Sequence, residues 1–106
     1  MVTPANPLDI VRRLAADPSC CSVFRPVLVE LRRHGLDLDD LREIVCSDLG
    51  EAHCFRTKPT EKYYPATMSD YYSLWIEECG VRMFLKLLVA DGQLVITSFK
   101  KDDRYA

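Results

Sequence analysis

The chain has 106 residues, 48% of them apolar and 28% charged, with fourteen Lys and Arg against sixteen Asp and Glu. That length and balance fit one globular domain over residues 1–106 and exclude a disordered tail, a collagen-like repeat and a coiled coil. A net charge of −2 excludes a domain-wide basic field, so any site for a polyanion has to be a small basic patch.

The sequence shows no apolar run near the roughly 20 residues that a membrane-spanning helix needs, so no membrane partner is expected. The opening Met1–Pro7 segment lacks the basic start and apolar stretch of a secretion signal, which points to the cytoplasm. Cys20, Cys21, Cys46, Cys54 and Cys79 are odd in number and lack paired spacing, as fits a reducing compartment. Cys46, His53 and Cys54 offer three metal ligands, yet no second Cys-x-x-Cys or His pair completes a site. These side chains read as small buried thiols and a structural imidazole, and neither a metal nor a cofactor is expected.

In chain order, the helical half (7–49) comes first. Asn6 predicts a cap and Pro7 a first helical position; Leu8, Val11, Leu14 and Ala15 then recur at helical spacing until Asp17-Pro18. A second helix is predicted over 25–34, with Val27, Leu28 and Leu31 on one face and Gly35 as its stop; His34 is expected to face the last carbonyls. Asp37 or Asp39 caps a third helix, whose stripe is Leu41, Ile44, Val45 and Leu49. Arg12, Arg13, Arg32, Arg33 and Arg42 fall mostly off these stripes and read as a solvated surface.

The loop and strand half (50–101) follows. Residues 51–56 suggest a short strand, and 57–68, with Pro59 and Pro65, a long loop. Within it, 56–62 holds Arg56, Lys58 and Lys62 against Glu61 alone, a local basic patch. Period-two alternation then predicts strands over 71–78, 81–89 and 94–99, joined by two-residue turns at Cys79-Gly80 and Asp91-Gly92. One face carries Tyr72, Leu74, Ile76, Met83, Leu85, Leu87, Val89, Leu94 and Ile96. The other carries Tyr71, Ser73, Trp75, Glu77, Arg82, Phe84, Lys86, Thr97, Phe99 and Lys101. In that register Trp75, Phe84 and Phe99 align across the sheet, Arg82 faces Glu77, and Lys86 faces Ser73 and Thr97. Aromatic rings flanked by cations can stack bases and hold phosphates; they also suit an ordinary half-exposed sheet.

The succession of His34–Leu41 (HGLDLDDL), Cys54-Phe55-Arg56, Ser69–Trp75 (SDYYSLW), Met83–Val89 (MFLKLLV) and Leu94–Lys101 (LVITSFKK) resembles the motility quorum-sensing regulator (MqsR) toxins. These belong to the RelE-like messenger-RNA interferase superfamily. The resemblance covers residues 34–101, and its most specific part is Ser98-Phe99-Lys100 after an upstream Phe-Leu-Lys strand. It implies an α+β domain with N-terminal helices on a C-terminal antiparallel meander. The implied activity is a metal-independent endoribonuclease that cuts messenger RNA by 2′-hydroxyl attack, with no direct DNA partner. A cognate antitoxin encoded beside it is the implied partner.

Position by position, the family's loop lysine falls on Arg56 and its C-terminal lysine on Lys100. Its strand tyrosine falls on Phe84 and its glutamine on Ile76, both apolar here. The expected catalytic set is therefore Arg56, Lys100, Lys86 and Tyr71. Lys58, Lys62, Tyr64, Arg82, Trp75 and Phe84 are expected to bind substrate, with Tyr64 the alternative proton carrier. Two other readings stand beside this one: a binding module of the same fold that no longer cuts, and a small thiol or metal enzyme using Cys46, His53 and Cys54.

Overall fold

Leu8, Val11, Leu14 and Ala15 bury one face of helix α1 (Leu8–Ala15) in the computed structural model, which describes residues 2–105. Pro7, not Asn6, is the residue that caps it. Asn6 is drawn away instead, because its backbone and side-chain N–H groups donate to Asp70 Oδ2 at 2.8 and 2.9 Å. Asp70 is fully buried and also accepts from the Ala5 N–H, so the N-terminal segment is tied to the sheet. After the 3-10 turn Pro18–Cys20 comes a strand the alternation does not foretell, β1 (Cys21–Val23).

Helix α2 (Arg25–Arg33) buries Val27 and Leu31. His34 closes it, but its ring turns back to Glu30 Oε2 at 3.1 Å rather than to the last carbonyls. Helix α3 (Leu38–Ser47) starts in a reciprocal capping box between Asp37 and Asp40, which satisfies backbone donors at its open end. Arg12 and Arg42 are not merely solvated. Arg12 donates to the Leu49 carbonyl at 2.6 Å, and Arg42 donates to the Ala15 and Ala16 carbonyls at 2.8 and 3.0 Å, closing the C-terminal end of α1.

The remaining strands are β2 (Cys54–Pro59), β3 (Met68–Ile76), β4 (Val81–Ala90) and β5 (Gln93–Lys101). The sheet order is β1-β5-β4-β3-β2; all neighbours are antiparallel except β1, which runs parallel to β5. The chain is thus a mixed α+β fold with the meander expected for its second half. Strand β2 reaches Pro59 and β3 begins at Met68, so the connecting loop is shorter than expected. It is ordered by a Thr60 N–H to Thr67 carbonyl bond at 3.0 Å and a Thr60–Ser69 hydroxyl pair at 2.8 Å.

Two connections decide which side chains meet. The β4–β5 turn has Asp91 and Gly92 at φ 52° and 72°, the doubly left-handed hairpin turn that Asp-Gly favours. The β3–β4 turn is longer than the expected pair. It spans 77–80, with Ile76 opposite Val81 and the Gly80 N–H bonded back to the Ile76 carbonyl at 2.9 Å. The two extra residues shift every cross-strand pair by one period but keep the faces. Arg82 therefore lies opposite Trp75, Phe84 opposite Ser73, and Lys86 opposite Tyr71. On the covered face Tyr72, Leu74, Ile76, Met83, Leu85, Leu87, Leu94 and Ile96 are all at most 2% exposed and join the helix stripes in one core.

Candidate functional site

Two β-bulges break the strict alternation on the open face of the sheet, and together they assemble the site. In β2, Cys54 pairs with Tyr72 and Arg56 with Tyr71, so Phe55 is the extra residue between them. In β5, Ile96 pairs with Leu87 and Ser98 with Lys86, leaving Thr97 extra. Beyond that point the parity of β5 reverses. Phe99 turns into the core at 3% exposure, opposite Leu85, and Lys100 comes to the open face opposite Phe84. The expected alignment of Trp75, Phe84 and Phe99 is therefore not formed.

Three other rings gather in its place. Phe55, Tyr71 and Phe84 form a triangle with centroid separations of 6.2, 6.0 and 5.7 Å, in tilted and edge-to-face geometries. Cations surround it. The Arg56 guanidinium and the Lys58 and Lys86 ammoniums lie 5.9, 5.9 and 5.3 Å from the Tyr71 ring centre, and the Lys100 ammonium lies 5.4 Å from Phe84. Arg104 is a fifth, its guanidinium carbon 3.5 Å from the Phe55 ring centre.

Tyr71 stands between two hollows. One, of about 280 Å³, is bounded by Phe55, Arg56, Phe84, Lys100 and Arg104. The other, of about 380 Å³, is bounded by Lys58, Ser69, Lys86 and residues 60–63 of the loop, Lys62 among them. Three carboxylates stand nearby: Glu61 and Asp102 are already engaged, and the exposed Asp103 lines the first hollow. Glu61 contacts Lys58 at 3.1 Å, and this bonded partner raises the lysine's hold on its proton, so Lys58 is a fixed cation. Asp102, 3% exposed, accepts from Arg104; those bonds hold its carboxyl well below the usual range. The face thus offers several cations, stacking rings and the Tyr71 hydroxyl, a set suited to a phosphate-bearing ligand with flat bases.

Of the residues expected at the site, Arg56, Lys58, Lys86, Lys100, Tyr71 and Phe84 are brought together, and Lys62 lines the second hollow. Tyr64 is not among them: its ring stacks on Phe24 at 6.4 Å and lines a separate hollow with Val23, Pro26 and Tyr63. Trp75 and Arg82 share the face but lie four strand residues from Tyr71, roughly 13 Å of extended chain. The Trp75 indole N–H donates to Glu77 at 2.9 Å, and Arg82 donates to the Ser73 hydroxyl and carbonyl at 3.2 and 3.0 Å. Ile76, the position of the family's glutamine, is a core residue at 2% exposure.

Phe55, Asp102 and Arg104 escape the sequence reading. A bulge hides Phe55 from any period-two count, and nothing periodic continues past β5. The Asp102-x-Arg104 spacing was the one available signal.

The thiol and metal reading loses its geometry. The Cys46 thiol donates to the Arg12 carbonyl at 3.5 Å, the Cys54 thiol to the Arg56 carbonyl at 3.6 Å, and His53 Nδ1 accepts the Gly50 N–H at 3.0 Å. Burial raises the Cys54 thiol and lowers the His53 imidazole, the reverse of what an activated thiolate requires. Among the described residues, no three His, Cys, Asp or Glu side chains gather where a metal ion could be held. Compared with known protein families and with curated proteins, the chain matches none of them.

Proposed function

We propose that this chain is a messenger-RNA-cutting toxin built on a RelE-like domain, acting in the cytoplasm and neutralised by an antitoxin protein encoded beside it. One observation carries the reading: Arg56, Lys58 and Lys86 surround Tyr71 at 5.9, 5.9 and 5.3 Å, with Lys100 beside Phe84, on an open sheet face. The resemblance of residues 34–101 to the MqsR toxins supports it.

In this chemistry the ribose 2′-oxygen forms a bond to phosphorus while the bond from phosphorus to the 5′-oxygen breaks. A cyclic phosphate and a 5′-hydroxyl result. The 2′-hydroxyl passes its proton to the Tyr71 oxygen as the Tyr71 hydroxyl releases its own to water, and the Lys86 ammonium supplies one to the departing 5′-oxygen and regains it from solvent. Lys100 and Arg56 stabilise the charge that gathers on the phosphorane. Arg56 serves only as a cation, because a guanidinium does not give up its proton.

A second reading is a binding module of the same fold that holds RNA or protein without cutting. It is favoured by Phe84, which has no hydroxyl, and by Ile76, which is sealed in the core. One experiment separates the two. Single-stranded RNA is incubated with the purified chain in the presence of a chelator, and the fragments are analysed for 5′-hydroxyl and cyclic phosphate ends. Cleavage by the parent, slowed roughly a hundredfold or more in Lys100→Ala at an unchanged unfolding midpoint, is the expected result. RNA bound but left intact by the parent selects the second reading, and RNA neither bound nor cut overturns the toxin assignment.

A further inference from the structure

Arg104 lies beyond the last strand, in the 3-10 turn Asp103–Tyr105, outside the segment that resembles the toxin family. An exposed arginine in a turn after a strand ordinarily samples many rotamers. Here it is fixed from two directions. Its Nε and Nη2 donate to the two Asp102 carboxylate oxygens at 3.0 and 2.9 Å, and its backbone N–H donates to Asp102 Oδ1 at 3.1 Å. Asp102 is itself immobilised: it is 3% exposed, and its N–H donates to the Arg82 carbonyl at 3.0 Å. From below, the Phe55 ring supports the guanidinium at 3.5 Å, the separation of stacked planes.

The consequence is a flat, oriented π-surface at the mouth of the hollow that also holds Arg56 and Lys100. Its charge is matched by the bidentate carboxylate, which makes it a poor additional anchor for phosphate. Its plane is of the kind on which unpaired bases stack. We propose that the Phe55–Arg104 stack is the platform for one unpaired base of the RNA, next to the phosphate held by Arg56 and Lys100. Asp102 is then a positioning residue, acting through Arg104. The inference rests on the RNA reading above and adds to it a base subsite that calls for single-stranded substrate.

Binding of a short 2′-O-methyl RNA, which cannot be cut, tests it across a series of salt concentrations. Stacking and phosphate contacts separate in that measurement. Losing a phosphate contact lowers the slope of log affinity against log salt by about one, whereas losing a stacked base leaves the slope alone. Arg104→Ala and Arg104→Lys should each weaken binding roughly tenfold at the parent's salt slope, since lysine restores charge but not the plane. Asp102→Asn should weaken it less, and Lys100→Ala should reduce the slope. Arg33→Ala, on the far surface of α2, should bind as the parent does. Unfolding midpoints of Arg104→Lys and Arg104→Ala confirm that the fold persists. Parent-like binding by Arg104→Lys, or a slope lowered by Arg104→Ala as much as by Lys100→Ala, overturns the stacking role and leaves the RNA reading in place. A parent that does not bind the RNA overturns the RNA reading itself.

Discussion

The covered and open faces of the sheet are drawn from the same three long strands, yet they spend their side chains differently. Under the helices, Tyr72, Leu74, Leu85, Leu87 and Ile96 are at most 1% exposed, and each is surrounded by apolar neighbours from several elements. On the open face, Tyr71 and Phe84 are only partly buried, and they rest chiefly on each other and on Phe55. One face converts area removed from water into stability, about 1.5–3 kcal/mol for a fully buried aliphatic or aromatic side chain. The other keeps Arg56, Lys86 and Lys100 around three rings, beside the carboxylate-paired Lys58 and Arg104, an arrangement that adds little to stability and much to the surface's capacity for anions. Site chemistry can therefore change on the open face without unfolding the domain, whereas the covered face tolerates little.

The sharpest test of that division is Leu85→Ala. It should lower the unfolding free energy by about 2–5 kcal/mol in urea titrations, and a loss under half a kcal/mol would break the comparison. Next is Tyr71→Phe on the open face. It should reduce RNA cleavage about a hundredfold, as expected for loss of a proton-transfer group, with an unchanged unfolding midpoint. A smaller effect is expected at the β4–β5 turn, where Gly92 has φ 72°. Gly92→Ala should cost about 1–2 kcal/mol in thermal or urea unfolding, because an L-residue resists that conformation.

The smallest effect is confined to acid. Asp102 binds its proton more weakly in the folded chain than an ordinary carboxyl, chiefly through its Arg104 hydrogen bonds. A depressed carboxyl stabilises the fold fully above its unfolded value, about 3.9, and the benefit disappears as pH falls below it. The stability gap between the parent and Asp102→Asn should therefore be constant near neutrality and shrink below about pH 4. A gap that widens there would contradict the ion pair.

Much of the covered face was legible because burial enforces alternation. Leu74, Leu85, Leu87 and Ile96 sit where period two puts them, and the helix stripes from Leu8 to Leu49 are likewise buried apart from Leu28, which is partly so. The open face resisted for local reasons. Cross-strand neighbours depend on turn length, and the 77–80 turn is two residues longer than Cys79-Gly80. Each bulge adds an unpaired residue, so Phe55 joins the site and Phe99 leaves it. Strand β1, Cys21–Val23, is too short to display any period and owes its form to pairing with β5. Arg56, Lys58, Lys86 and Lys100 are legible from residue type and resemblance, but their convergence on Tyr71 and Phe84 is a product of register.

Thr97 gives this register its largest leverage. As the extra residue between Ile96 and Ser98, it separates a β5 whose first half obeys one phase from a second half that obeys the opposite one. Removing Thr97 would leave Ser98, Phe99 and Lys100 on their present partners, because it is the residue that the ladder already skips. Keeping it but pairing it regularly with Lys86 would flip everything after it, carrying Lys100 to the covered face and Phe99 to the open one. The bulge is therefore what lets a strand whose letters alternate the other way deliver its lysine to solvent and its phenylalanine to the interior. The presence of that cation on the open face depends on how one threonine is paired, as much as on the lysine itself.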